Sequence, residues 1–377
     1  MNPLHGISKL GQSVWYDNIH RGMLTSGELA RMIQDDNLLG VTSNPAIFEK
    51  AITEHDDYDN AIASYLDKNT GSSSRQLFYH LAIEDIQNAA DLLMPAYQAS
   101  NRHDGMVSLE VSPDLANDTA ATIEEAKELW AQVDRPNLMI KVPATRAGVP
   151  AIEALISEGI NVNATLLFSV DRYKEVAQAH IAGLEARLRS GQAIDHIASV
   201  ASFFVSRVDA AVEKALKSAE KHTNENKALL GSIAIANAKK AYQSYHEVYA
   251  QANFQDLTQA GAKPQRLLWA STGTKSKELS DILYIETLIG PNTVTTVPPA
   301  TYKAYKDHGQ AQATLENELK QAYIQLDLLA DLGINIDNIT NTLEEEGVKS
   351  FAASFKNLLT AIEQKMQHHA QKEEAVV

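Results

Sequence analysis

Residues 138–167 read LMIKVPATRAGVPAIEALISEGINVNATLL. Two short apolar runs, 138–142 and 160–167, enclose VPAIEALI at 149–156, where apolar residues recur at spacings of three and four. The outer runs have the length and branching of buried strands, and the middle has the period of an amphipathic helix. This is one strand–helix–strand unit, and working outward in both directions finds it again. Strand patterns occur at 13–16, 40–43, 106–111, 138–142, 160–167, 197–205, 266–270 and 293–297, and helical patterns such as 124–133 and 172–188 lie between them. Such alternation argues for parallel strands joined by helical crossovers, and eight repeats fit a closed (β/α)8 TIM barrel. An open doubly wound sheet is the alternative.

Two crossovers are oversized. Residues 45–105 and 208–264 each hold material for two or three helices, so the α/β barrel is expected to carry helical insertions after strands 2 and 6. Neither stretch contains a linker rich in Pro, Gly and Ser, which predicts one barrel domain over 1–377 with core strands at about 13–297. Residues 315–367 read as C-terminal helices, and 368–377 (HHAQKEEAVV) as a frayed tail in which His368 and His369 are solvated.

Composition narrows the function classes. Hydrophobic residues at 44% and charged residues at 21% support a sizeable core rather than disorder. The balance of 33 Lys and Arg against 48 Asp and Glu leaves a net charge of −15, a field that repels nucleic acid and anionic membrane surfaces. The absence of cysteine excludes disulfides, thiolate-bound metals and a thiol nucleophile, and it suits a cytoplasmic location. No 18 apolar residues run together, and the start of the chain lacks the pattern of a signal peptide.

In a barrel, chemistry belongs at the C-terminal ends of the strands. The polar residues there are Asp17, Asn44, Glu110, Lys141, Asn163, Thr165, Ser202 and Arg207. Structural roles also suit several of them: Asp17 as a helix N-cap, Asn44 before Pro45 as a turn residue, Glu110 and Thr165 as hydrogen-bonded strand ends. Lys141 stands apart, since Leu138, Met139, Ile140, Val142 and Pro143 surround it. A desolvated ammonium is costly, and a lysine in this setting is either tuned toward its neutral, nucleophilic form or snorkels out through the rim. After the seventh strand, WASTGTKSK (residues 269–277) offers Ser271, Thr272 and Thr274 hydroxyls, Gly273 and Lys275. Many barrels hold phosphate at this position. The stretch is not a Walker A loop, because Thr274 stands where that pattern needs glycine before the lysine. It is either a phosphate cradle or a turn with a solvated lysine.

Together these segments resemble the transaldolases, of the longer bacterial type. The resemblance rests on SVWYDNIHRG (13–22), GVTSNPAIFEKAI (40–52), VSLEVSP (107–113), LMIKVPAT (138–145), GINVNATLLFS (159–169), ASFFVSRVD (201–209), LLWASTGT (267–274) and GPNTVTTVPPATYKAYKDHG (290–309). It implies a transferase of the pentose phosphate pathway that moves a dihydroxyacetone unit between sugar phosphates through a lysine Schiff base, without metal or organic cofactor. By the same resemblance Lys141 forms the imine and Asp17 is the acid/base at the C4 hydroxyl. Glu110 and Thr165 shuttle protons, and Asn44 and Asn163 hold the dihydroxyacetone part. Ser202, Arg207 and Ser271 form the phosphate end. The shorter transaldolases place an arginine where Gly273 stands here, so Lys275 is expected to substitute for it.

Fructose 6-phosphate aldolase chemistry would use the same lysine, and a non-catalytic barrel module would lack the lysine–carboxylate set. Metal-dependent barrel hydrolases want His-x-His on a strand, and none of the 12 histidines forms that pattern. Oligomeric state is not legible.

Overall fold

The computed structural model describes residues 2–218 and 229–374. Eight parallel strands close into a barrel in chain order: β1 (Gln12–Tyr16), β2 (Gly40–Thr42), β3 (Met106–Glu110), β4 (Leu138–Pro143), β5 (Val162–Leu167), β6 (Ser199–Phe204), β7 (Arg266–Ala270) and β8 (Thr293–Val297). Closure is made by β1 against β8 over five residues, from Gln12 opposite Thr293 to Tyr16 opposite Val297, and this pairing rules out the open sheet. Each strand is buried along its whole length, as expected where helices cover one face and barrel side chains fill the other.

Alternation along each strand sorts residues between those two faces. Ser108 on β3 and Asn163 on β5 hydrogen bond at 3.0 Å although β4 lies between them, so both point inward. Arg266 on β7 reaches past β8 to the Ser13 hydroxyl on β1 at 2.8 Å and to Asp104 at 2.9 Å. Ser13 in turn donates to Asp104 at 2.8 Å, and this buried group closes the N-terminal end of the barrel. Burial works to raise the Asp104 pKa, but Arg266 and the Ser13 hydroxyl bring it net below the ordinary carboxylate value.

The crossover between β2 and β3 carries helices Pro45–Glu54, Asp59–Lys68 and Ser74–Ala99. Asn44 caps the first by accepting from the Ile47 N–H, and Ser73 with Gln76 forms a capping box on the third. After β6 come helices Ser206–Ser218, Ile233–Tyr249 and Ala252–Gln259, while residues 219–228 of this predicted insertion lie outside the described residues. Buried apolar side chains from Leu4 to Ile362 form one contiguous cluster. Among the described residues no helix is long and apolar enough to cross a membrane.

The C-terminal segment differs from expectation. Helices Leu319–Asp331 and Ile336–Glu374 follow β8, and the second continues past His368, where the sequence predicts a frayed tail. Its end is tied to helix Asp59–Lys68 by Lys365 on Asp59 at 2.5 Å and His369 beside Asp67 at 3.3 Å, so six further residues stay helical. Residues 375–377 lie outside the described ones.

Candidate active site

Register brings the first three groups together. Glu110 on β3 pairs with Lys141 on β4, and Lys141 pairs with Asn163 on β5, which sets three inward side chains side by side at one height. The neighbours Ile140 and Val142 are fully buried and alternate to the helix-covered face, which is why the lysine reads as embedded in an apolar run. Lys141 is 4% exposed. Its Nζ donates to the Ser43 carbonyl across the barrel at 3.2 Å and lies 3.5 Å from Glu110 Oε2.

Burial pushes the Glu110 carboxyl up to about 7, against the pull of Lys141; Asp17 adds to the rise and Arg207 opposes it. Among the described residues the Glu110 oxygens have no hydrogen-bond partner beyond the 3.5 Å approach of the Lys141 ammonium, and the Thr165 hydroxyl, two residues beyond Asn163, has none. Buried polar atoms with so few partners beside a buried amine make these residues candidates for proton transfer. The β5–β6 register shifts between Ala164 and Leu167, the stretch that holds Thr165, and Leu166 takes a left-handed φ of 60°.

Asp17 follows β1, where its Oδ1 accepts from the Thr42 hydroxyl at 2.7 Å, and that hydroxyl also meets Thr296 Oγ1 at 2.7 Å. Asn44 spends its side-chain oxygen on the Ile47 N–H at 3.0 Å, which leaves its amide hydrogens for a ligand. Asn163 donates to Ser108 and accepts from the Ser202 hydroxyl at 2.6 Å. Ser202 therefore orients Asn163, and the serine paired with Ser271 is Ser206, at 2.8 Å between hydroxyls.

Arg207 opens helix Ser206–Ser218, its guanidinium 5.3 Å from the Phe204 ring and 5.7 Å from the Phe351 ring. Burial lowers its pKa while Asp17 and Glu110 draw it back up. With Lys214, the exposed Lys275, Thr342, Glu346 and Ser350 it lines a cavity of about 720 Å³ between that helix and the C-terminal helix, where three cations face one carboxylate. A larger cavity of about 1120 Å³, between helices Glu28–Asp36 and Pro299–His308, contains none of the predicted site residues. Among the described residues no three His, Cys, Asp or Glu side chains are grouped to hold a metal.

A buried lysine paired with a carboxyl that titrates near neutrality is a set from which covalent catalysis through an imine can be built. The family model described as Transaldolase/Fructose-6-phosphate aldolase matches residues 14–362, which takes in all of β2 to β8 and all but two residues of β1. The chain belongs to the transaldolase/fructose-6-phosphate aldolase family.

Relatives span the whole length. "Transaldolase" of Thermobifida fusca is 47% identical over 98% of this chain and 99% of its own. "Transaldolase 2" of Nostoc punctiforme is 45% identical over 97% and 98%, and "Transaldolase" of Thiobacillus denitrificans 45% over 96% and 100%.

Within this transaldolase-family barrel, Gly273 stands in a tight spot: a Cβ there would sit 3.2 Å from Pro298 Cγ and 3.3 Å from Thr301 Oγ1, so those side chains would have to give by a few tenths of an ångström. Three contacts were not legible in the sequence: the Ser43 carbonyl on Lys141, the Thr42 hydroxyl on Asp17, and Phe351. GVKSFAASF (residues 347–355) shows helical apolar spacing, but nothing in it says that the helix reaches Lys141.

Proposed function

We propose that this enzyme is a transaldolase, a transferase that moves a dihydroxyacetone unit from fructose 6-phosphate or sedoheptulose 7-phosphate to an aldose phosphate. The observation that carries the reading is the buried Lys141 amine 3.5 Å from a Glu110 carboxyl held near neutrality. Near-full-length relatives named transaldolase favour transfer over simple aldol cleavage.

The chemistry follows from what each group supplies. Lys141, once neutral, adds to the substrate C2 carbonyl. The carbinolamine then loses water to give the imine, and Glu110 with Thr165 delivers and retrieves the protons. The protonated imine draws electrons from the C3–C4 bond as Asp17 takes the C4 hydroxyl proton, releasing an aldose phosphate and leaving a three-carbon enamine on Lys141. Asn44 and Asn163, the latter aligned by Ser202, hold its hydroxyls. An acceptor aldehyde is attacked by the enamine carbon, and the same steps run backward. No cofactor is needed, because the imine is the electron sink. Arg207 with Ser271 and Lys275 receives the phosphate, a local cationic field within about one Debye length that offsets the net −15 charge. A cytoplasmic setting goes with sugar phosphate substrates and a chain without cysteine.

Borohydride reduction in the presence of fructose 6-phosphate, followed by peptide mass mapping, tests the reading. The expected result is a dihydroxyacetone-derived adduct on the peptide bearing Lys141. An adduct on another lysine, or none, overturns it.

A further inference from the structure

We infer that Phe351 is a specificity-determining residue whose ring closes the barrel mouth over Lys141 and keeps water from the bound three-carbon intermediate, an inference that rests on the transaldolase reading. The ring centre lies 5.8 Å from Lys141 Nζ and 5.7 Å from the Arg207 guanidinium carbon, and Phe351 is 5% exposed. It therefore neighbours both the amine that bears the imine and the cation at the phosphate end.

The C-terminal helix is built to hold it there. Helix Ile336–Glu374 packs on β5, on helices Pro45–Glu54 and Ser206–Ser218, and on the turn Pro113–Leu115, all of which lie at or follow the C-terminal ends of strands. One helical turn before Phe351 is Gly347, where an added Cβ would be 3.1 Å from Leu166 Cδ2, at the register shift of β5. One turn after is Phe355, edge-on to Phe78 at 5.6 Å and under the Arg75 guanidinium at 5.2 Å. Residues 347, 351 and 355 share one helix face, so close approach at the first and anchoring at the third fix the ring between them.

The chemical consequence concerns the enamine. Transfer joins its carbon to an acceptor aldehyde. The competing loss takes a proton on that carbon to give the imine, adds one water to the imine carbon and breaks the C–N bond, freeing dihydroxyacetone and the lysine amine. A phenyl ring offers no hydrogen-bonding group to order that water, and excluding water from a reactive intermediate suppresses its hydrolysis.

The test uses the full-length enzyme with fructose 6-phosphate and erythrose 4-phosphate, and measures dihydroxyacetone released against sedoheptulose 7-phosphate formed. Phe351→Ala is expected to raise that ratio about tenfold or more, the effect of a modest change in relative barriers. Phe351→Leu, which restores apolar bulk, should stay within about twofold of the parent enzyme. Gly347→Val, which leaves the ring intact but crowds Leu166 and so pushes the helix outward, should move the ratio in the same direction as the alanine variant and keeps the inference testable if that variant does not fold. An unchanged ratio with a raised KM means that the ring only supports Arg207, and overturns the inference; so does a leucine variant as leaky as alanine. Borohydride trapping on the parent enzyme separates the two claims. No adduct at Lys141 removes the transaldolase reading itself, whereas trapping and transfer with a flat ratio across the variants removes the role of Phe351 alone.

Discussion

Lys141 Nζ and Glu110 Oε2 lie 3.5 Å apart on paired residues of adjacent strands, both nearly enclosed, yet among the described residues the carboxyl has no hydrogen-bonding partner beyond that amine, and burial lifts it to about 7. A structural ion pair this deep would carry further hydrogen bonds to offset the desolvation of both charges. Here the carboxyl is left near the midpoint of its titration, which suits a group that must give and take a proton at neutral pH.

Glu110 should therefore leave a mark on both activity and stability. Its folded pKa is raised, so its neutral form is the favoured one; stability is greatest below the unfolded carboxyl pKa near 4.5 and declines as pH rises through about 7. Glu110→Gln mimics the neutral form and should lose that decline. Melting temperatures at pH 5 and pH 8 are expected to differ less in the variant than in the parent, and the limb near pH 7 in the rate profile should vanish. A parent-like limb in the variant assigns the titration elsewhere.

Asp17 and Glu110 should separate by step. Asp17→Asn is expected to form the borohydride-trapped adduct at a normal rate and to transfer roughly 10²- to 10⁴-fold more slowly, the usual scale for a lost acid/base. Glu110→Gln should instead be slow to trap. Equal trapping rates in the two variants would contradict this division.

At the phosphate end, Arg207→Ala should raise KM for fructose 6-phosphate by roughly 10- to 150-fold, the range of one charge-assisted contact. Activity on unphosphorylated fructose should change little. Lys275→Ala should have a weaker effect of the same kind, since an exposed lysine lacks the fork of a guanidinium. No change in KM for Lys275→Ala removes Lys275 from the site.

Far from Lys141, Asp104→Ala would leave the Arg266 guanidinium buried without its carboxylate. Breaking such a pair from one side costs about 3–5 kcal/mol. Denaturant unfolding should show a loss of that order, with kcat per folded molecule near the parent value; a loss under about 1 kcal/mol would mean that Ser13 and the His103 carbonyl suffice to hold Arg266.

Much of this was readable from local pattern. The strand periods predict β4 as Leu138 to Val142, and the structure extends it by one residue to Pro143; Lys141 was conspicuous because an ammonium between Ile140 and Val142 has no cheap solvated position on a buried strand. Serine positions were less informative. Ser202 and Ser206 differ by four residues, and which one meets Ser271 depends on where β6 stops and the helix begins, a boundary that periodicity does not resolve.

What the sequence determined by itself was the alternation of eight strands with helices and the placing of Asp17, Glu110, Lys141, Asn163 and Thr165 in or just after strands, because strand period and helix period are properties of neighbouring residues; closure came from β1 pairing with β8. What only the tertiary structure decided was the company those residues keep: the Ser43 carbonyl on Lys141, the Ser202 hydroxyl on Asn163, and Phe351 arriving from a helix more than two hundred residues further along the chain. Those contacts join segments whose separation carries no local signal: the first two form because barrel pairing brings inward groups of different strands together, and the third because the C-terminal helix packs against β5 and the helices that follow the strands.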